Sequence, residues 1–151
     1  MDSLSQCAVE APLRHQARLN PSCIVCGSQN PKGLAIQFRV EADGAHAEWI
    51  PSGDWESFQG VIHGGIISTV LDEAMSKAIV ACGWEAFTVD LRVRFRGRVT
   101  PGETLLIRGW IVDKRKRLIR AESAISTRDG EERAHAWATF LTPPAVAEKT
   151  P

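Results

Sequence analysis

No stretch of this chain approaches the roughly 20 consecutive apolar residues that a membrane-spanning helix needs, although 44% of it is hydrophobic. Net charge is also missing. Eighteen Lys and Arg balance eighteen Asp and Glu, so no overall field gathers nucleic acid or an anionic membrane. The first residues lack the basic-then-apolar order of a secretory signal. Cysteine is sparse, at Cys7, Cys23, Cys26 and Cys82, and without an export signal this implies a reducing compartment, the cytoplasm by default. No internal repeat or linker divides the 151 residues, so one domain with one core is expected.

What is present is strongly patterned. Residues 1–33 read as a loose lead-in carrying a Cys23-x-x-Cys26-Gly27 turn, residues 34–142 as the folded domain, and residues 143–151 as a flexible tail. Leu34 to Val40 alternates as a half-buried strand, with Ala45 to Ile50 its partner across the Asp43-Gly44 turn. A glycine-containing loop covers 51–62, and a helix runs from about Gly64 to Cys82. Four strand-like runs follow: Phe87 to Phe95, Thr104 to Val112, Leu118 to Ser126 and Ala134 to Leu141. In the first of them the apolar residues alternate with Asp90 and arginines on the opposite face. The basic stretch 114–117 turns the chain between the second and third. Two strands, one long helix and four strands make an α+β domain, an antiparallel sheet with a single helix packed on it.

The helix is too apolar for a surface helix, which needs only a stripe. Ile66, Ile67, Val70, Leu71, Ala74, Met75, Ala78, Ile79 and Ala81 cover well over half its circumference. A curved sheet should therefore wrap most of its girth, with the remaining face against a partner. Its polar residues form two rows. Glu73 stands one turn before Lys77 in the favourable order for an ion pair, whereas Asp72 has only Ser68 and Ser76 as row neighbours. Asp72 is thus the carboxylate left free for chemistry.

His63-Gly64-Gly65 opens this helix. The first turn presents unpaired N–H groups at the electropositive end of the dipole, and glycines let a ligand oxygen come close. That is an oxyanion hole in outline; a plain helix start is the alternative. From Gly64 to Asp72 is about 12 Å of helical rise, whereas a catalytic group must act within about 3 Å of its target. If both residues act on one carbonyl, one must come from a second subunit, and a two-fold dimer would hold two such sites.

The run Gly60 to Met75, with Thr88-Val89-Asp90-Leu91, Phe95, Pro101-Gly102-Glu103 and Asp129-Gly130, resembles hotdog-fold thioesterases of the phenylacetate-degradation (PaaI-like) type over roughly residues 23–141. The resemblance implies a curved antiparallel sheet wrapped around one central helix and hydrolysis of an acyl-CoA thioester in a homodimer or homotetramer. It implies that the Gly64 N–H polarises the thioester carbonyl, with Gly65 completing the turn and His63 lining the site. Asp72 of the opposite subunit is then nucleophile or general base, Ser76 positions water, and Thr88 supplies a hydroxyl. Many relatives place Asn or Gln six residues before the His; Ser57 stands there here, with Gln59 two residues later as the replacement.

On this reading Arg94, Arg96, Arg98 and the Lys114 to Arg117 turn are candidates for the CoA phosphates. They could equally be a solvated face. Phe95 alone is no aromatic series interleaved with them as in a nucleic-acid platform, so neither nucleic acid nor membrane is an expected partner. No cofactor and no metal are expected. Cys23 and Cys26 are one pair where a structural zinc needs four ligands, so Cys7, His15 or a second subunit would have to complete it. His46 and His135 read as surface residues, and the five tryptophans as core and pocket wall, with Trp55 able to reach an acyl group. Two other functions fit the same frame: a non-catalytic acyl-CoA-binding protein, and a hotdog dehydratase or hydratase.

Overall fold

The computed structural model describes residues 20–144. Six strands, β1 (Phe38–Glu41), β2 (Gly44–Trp49), β3 (Phe87–Phe95), β4 (Leu105–Arg115), β5 (Leu118–Thr127) and β6 (Glu132–Leu141), surround one long helix, α1 (Gly64–Ala81). They form a single sheet in the order β1-β2-β4-β5-β6-β3, antiparallel at each junction. The expected element order therefore holds. The sheet curves round α1, whose Ile67, Val70, Leu71, Ala74, Met75, Ala78 and Ile79 are buried. These pack on inward residues of the strands, among them Leu105, Ile107, Ile119, Ile125, Ala136 and Phe140.

Two details fix the helix on the sheet. Gly109 of β4 lies directly beneath it, and a Cβ there would stand 2.2 Å from the Ala74 carbonyl oxygen. Backbone thus rests on backbone, which any larger residue would prevent. Beside it, the fully buried Ser123 of β5 donates its hydroxyl to the Leu71 carbonyl at 2.8 Å. That bond satisfies a polar group which burial would otherwise penalise.

Several expectations need correction. The first strand does not begin at Leu34, because Ala35 adopts a left-handed φ of 54°. Leu34 and Ile36 instead bond through their N–H groups to the carbonyls of Ile24 (2.7 Å) and Val25 (2.9 Å). Val25 and Ile36 are each 2% exposed, so the lead-in from residue 20 is part of the packed domain. The basic turn is tighter than 114–117. Lys114 and Arg115 remain in β4, and Lys116 takes the left-handed turn conformation.

The outer face of the sheet also holds more than solvent. His135 is half-buried between Glu122 (2.9 Å) and Glu132 (3.2 Å) and stacks on Trp137. His46 is bonded to Asp43 at 2.8 Å. Trp110 and Trp137 are not core; they carry Arg108 and Arg92 over their rings. Among the described residues, no helix is long and apolar enough to cross a membrane.

Candidate active site

The loop before α1 is tied down through its backbone. His63 N–H donates to the Trp55 carbonyl, Ile62 N–H to Val99, and Ser57 N–H to Val61, each at 2.8 Å. The loop therefore delivers His63 in an extended conformation (φ −59°, ψ 130°) as the N-cap of α1. Its ring Nδ1 accepts the Gly65 N–H at 2.8 Å, doing for the helix end what a Ser or Asp ordinarily does. The proton of a neutral His63 ring then sits on Nε2. Among the described residues this leaves the Gly64 N–H without an acceptor, at the electropositive end of the helix.

Gly64 opens on a cleft of about 400 Å³ whose lining includes Ser57, Ile67, Phe95, Arg96, Arg98 and Arg133. The Phe95 ring lies flush on Gly64, where a Cβ would meet its Cζ at 3.3 Å. Here the structure brings together four of the expected site residues: Gly64, Ser57, Arg96 and Arg98. Arg96 is engaged by Glu132 at 2.6 Å.

Asp72 lies two helical turns away, and its partner arrives by an irregularity. The β3–β6 register runs Phe87↔Leu141, Thr88↔Phe140, then Asp90↔Thr139, so a bulge sits at Val89. Strict alternation would place Thr88 with Asp90 and the arginines on the outer face. The extra residue reverses that phase, and Thr88 pairs instead opposite the buried Phe140. Its hydroxyl then donates to Asp72 Oδ1 at 2.7 Å. Burial pushes the Asp72 carboxyl above the usual carboxylate range; the Thr88 hydrogen bond pulls it down, and the neighbouring Glu73 charge adds to the rise.

The other expected residues scatter. Ser76 opens on a separate cleft with Glu73, Lys77 and Trp84. Gln59 is exposed at the loop tip, and Arg94 is exposed on β3. In the basic turn, Arg115 pairs with Asp113 at 3.1 Å and Arg117 with the Thr142 carbonyl at 2.9 Å. Lys114 lies 5.0 Å from the Trp84 ring centroid. Sequence reasoning missed the capping role of His63, since histidine is an infrequent N-cap, and the bulge, which the pairing with β6 sets and no local pattern marks. It also missed Ser123, a buried hydroxyl on the apolar phase of an alternating strand.

β3 itself forms a sheet edge. Phe87, Val89 and Phe95 are 61%, 57% and 54% exposed, large apolar side chains along a strand whose outer edge is unpaired. Isolated sheets avoid such edges.

The sequence profile of the thioesterase superfamily matches residues 59–134, the stretch from the loop before α1 into β6, and the chain belongs to that superfamily. The fold is the hotdog fold. Among solved structures, the thioesterase superfamily protein RHA08564 superposes with a TM-score of 0.77 at 20% identity, over 80% of this chain and 60% of that one. This chain thus spans about 60% of the length of that protein. Zebra fish thioesterase superfamily member 2 gives 0.70 at 19% identity, over 78% of this chain and 90% of that one. The protein smu.793 of Streptococcus mutans, solved bound to acetyl CoA, gives 0.68 at 20% identity, over 72% and 88%. No curated protein sequence matches the chain.

Proposed function

We propose that the protein hydrolyses an acyl-CoA thioester to the free acid and CoA, at a site built from two subunits. The observation that carries this reading is the pairing of a Gly64 N–H that has no acceptor among the described residues, on a cleft, with an Asp72 carboxylate bonded by Thr88. About 12 Å of helix separates them. The thioester carbonyl oxygen accepts the Gly64 N–H, which stabilises charge as it develops there. Asp72 of the opposite subunit either takes a proton from the water that attacks the carbonyl carbon and passes it to the thiolate as the carbon–sulfur bond breaks, or attacks the carbon itself. Direct attack expels the thiolate and forms an anhydride that water hydrolyses to the free acid, the water's proton going to the thiolate. The raised Asp72 carboxyl is a better base at neutral pH than an ordinary aspartate.

The exposed apolar edge of β3 supplies the surface for a two-fold partner. Arg98, which lines the Gly64 cleft, and Arg94 are the best placed for the CoA phosphates, because Arg96 is held by Glu132. The acetyl CoA bound by smu.793 agrees with that substrate class. Likeness to the phenylacetate-degradation type belongs with this proposal, as does the cytoplasm as the compartment. The test is thiol release from a panel of acyl-CoAs. Wild-type turnover is expected, with a loss of about 10²–10⁴-fold in Asp72→Asn. Unchanged turnover in that variant would remove Asp72 from the mechanism. A chain that binds acyl-CoA but releases no thiol across the panel would favour the non-catalytic reading.

A further inference from the structure

The lead-in carries a feature that thioester chemistry leaves unused. Cys23 and Cys26 lie in a turn closed by the Gly27 N–H bonding to the Cys23 carbonyl at 2.9 Å. The Val25 N–H donates to the Cys23 sulfur at 3.4 Å. Gly27 is buried, and a Cβ there would fall 2.5 Å from the carbonyl oxygens of Cys23 and Pro21. Only glycine closes this turn, which aims both thiols at the same place on α1.

At that place is Glu73. Its Oε1 lies 3.7 Å from the Cys23 sulfur and 3.1 Å from that of Cys26, and the three donor atoms lie within 4.8 Å of one another. Tetrahedral zinc, with sulfur at about 2.3 Å and oxygen at about 2.1 Å, requires sulfur–oxygen separations near 3.6 Å. The spacing seen here needs only small adjustments to reach that value. Backbone donation to a ligand sulfur is the kind of outer support that metal-binding cysteines receive.

Charge points the same way. Glu73 is also 3.4 Å from the Lys77 ammonium. Two thiolates and a carboxylate sum to three negative charges; a divalent cation and Lys77 sum to three positive ones. All four side chains line a cleft of about 1130 Å³, which leaves a fourth coordination position open to water. The sequence offers only a cysteine pair; the fold adds a third ligand from the central helix, some fifty residues away.

We propose that Cys23, Cys26 and Glu73 form a site for a zinc-class divalent cation that clasps the lead-in to α1 beside Asp72. Binding exchanges two thiol protons for the metal, with no change of oxidation state. The proposal stands independently of the thioesterase reading.

The test is titration of the reduced full chain with Co²⁺, followed by displacement with Zn²⁺. One equivalent per chain is expected, with sulfur-to-cobalt charge-transfer absorption and the intense visible bands of a tetrahedral site. Cys23→Ser and Cys26→Ser should each weaken binding by more than the 10–100-fold typical of losing an outer-shell partner. Glu73→Gln should keep the charge-transfer band while lowering affinity. Circular dichroism of each variant without metal establishes that it is folded, and the wild-type titration decides the matter whatever the variants do. Absence of the charge-transfer band in the reduced wild-type chain would overturn the site. So would its persistence in a folded Cys23→Ser/Cys26→Ser double variant.

Discussion

The most informative single residue is Thr88. Its hydroxyl donates to Asp72 Oδ1 at 2.7 Å and lowers a carboxyl that burial raises. Asp72 must be ionised to act as nucleophile or base, so kcat/KM should fall as pH drops through its raised pKa. Removing the hydroxyl removes a lowering influence. Thr88→Val should therefore move the acid limb of the pH profile to higher pH, with a loss of about 10-fold in kcat/KM at neutral pH. Thr88→Ser should retain the wild-type limb. An unmoved limb in Thr88→Val would separate Thr88 from the chemistry. Row spacing on the helix, a local property, leaves Asp72 with no ionic row partner, and in the structure its hydrogen bond comes from Thr88 rather than from Ser68 or Ser76 of its own row. The sequence missed how Thr88 reaches Asp72, because a one-residue bulge is set by pairing with β6 and not by β3 alone.

At the scale of elements, packing on the sheet fixes where α1 presents Asp72 and its N-terminal turn. Gly109 lets the helix backbone lie on β4, and Ser123 bonds the carbonyl just before Asp72. Gly109→Ala would drive a methyl group into the Ala74 carbonyl. A loss of about 3 kcal/mol or more is expected in chemical denaturation. A loss under about 1 kcal/mol would show that the helix can lift off freely.

Element type and order were legible from the apolar period of α1 and the alternation of the later strands. The shorter β1 was not. The Leu34 and Ile36 alternation is real, but it is satisfied by the Ile24 and Val25 carbonyls, a long-range choice that no local pattern records. The same holds for Trp110 and Trp137, which the sequence reading placed in the core and pocket wall. They stack with His135, Arg92 and Arg108 on the outer face.

For the whole molecule, a site built from two chains requires association. An edge strand with Phe87, Val89 and Phe95 exposed is a surface in want of a partner. Val89→Lys, at a bulge on that edge, should shift sedimentation toward the monomer and lower turnover in parallel. A Val89→Lys chain that sediments as a monomer with full activity would confine the site to one chain. The sequence argued for a dimer through the apolar girth of α1, the family resemblance and the distance from Gly64 to Asp72 along one helix; the exposed edge adds an independent reason.

Complementation between two inactive chains tests the composite site most directly. Gly64 is the first helical residue, where proline is tolerated, and His63 at ψ 130° already has the backbone a following proline requires. Gly64→Pro thus removes the proposed donor with little disturbance to the helix, and Asp72→Asn removes the carboxylate. Each homodimer should be inactive. Unfolded and refolded together in equal amounts, they should regain about a quarter of wild-type activity, since half the dimers are mixed and each mixed dimer holds one intact site. Mixed dimers that form and show no activity would contradict a site shared between subunits.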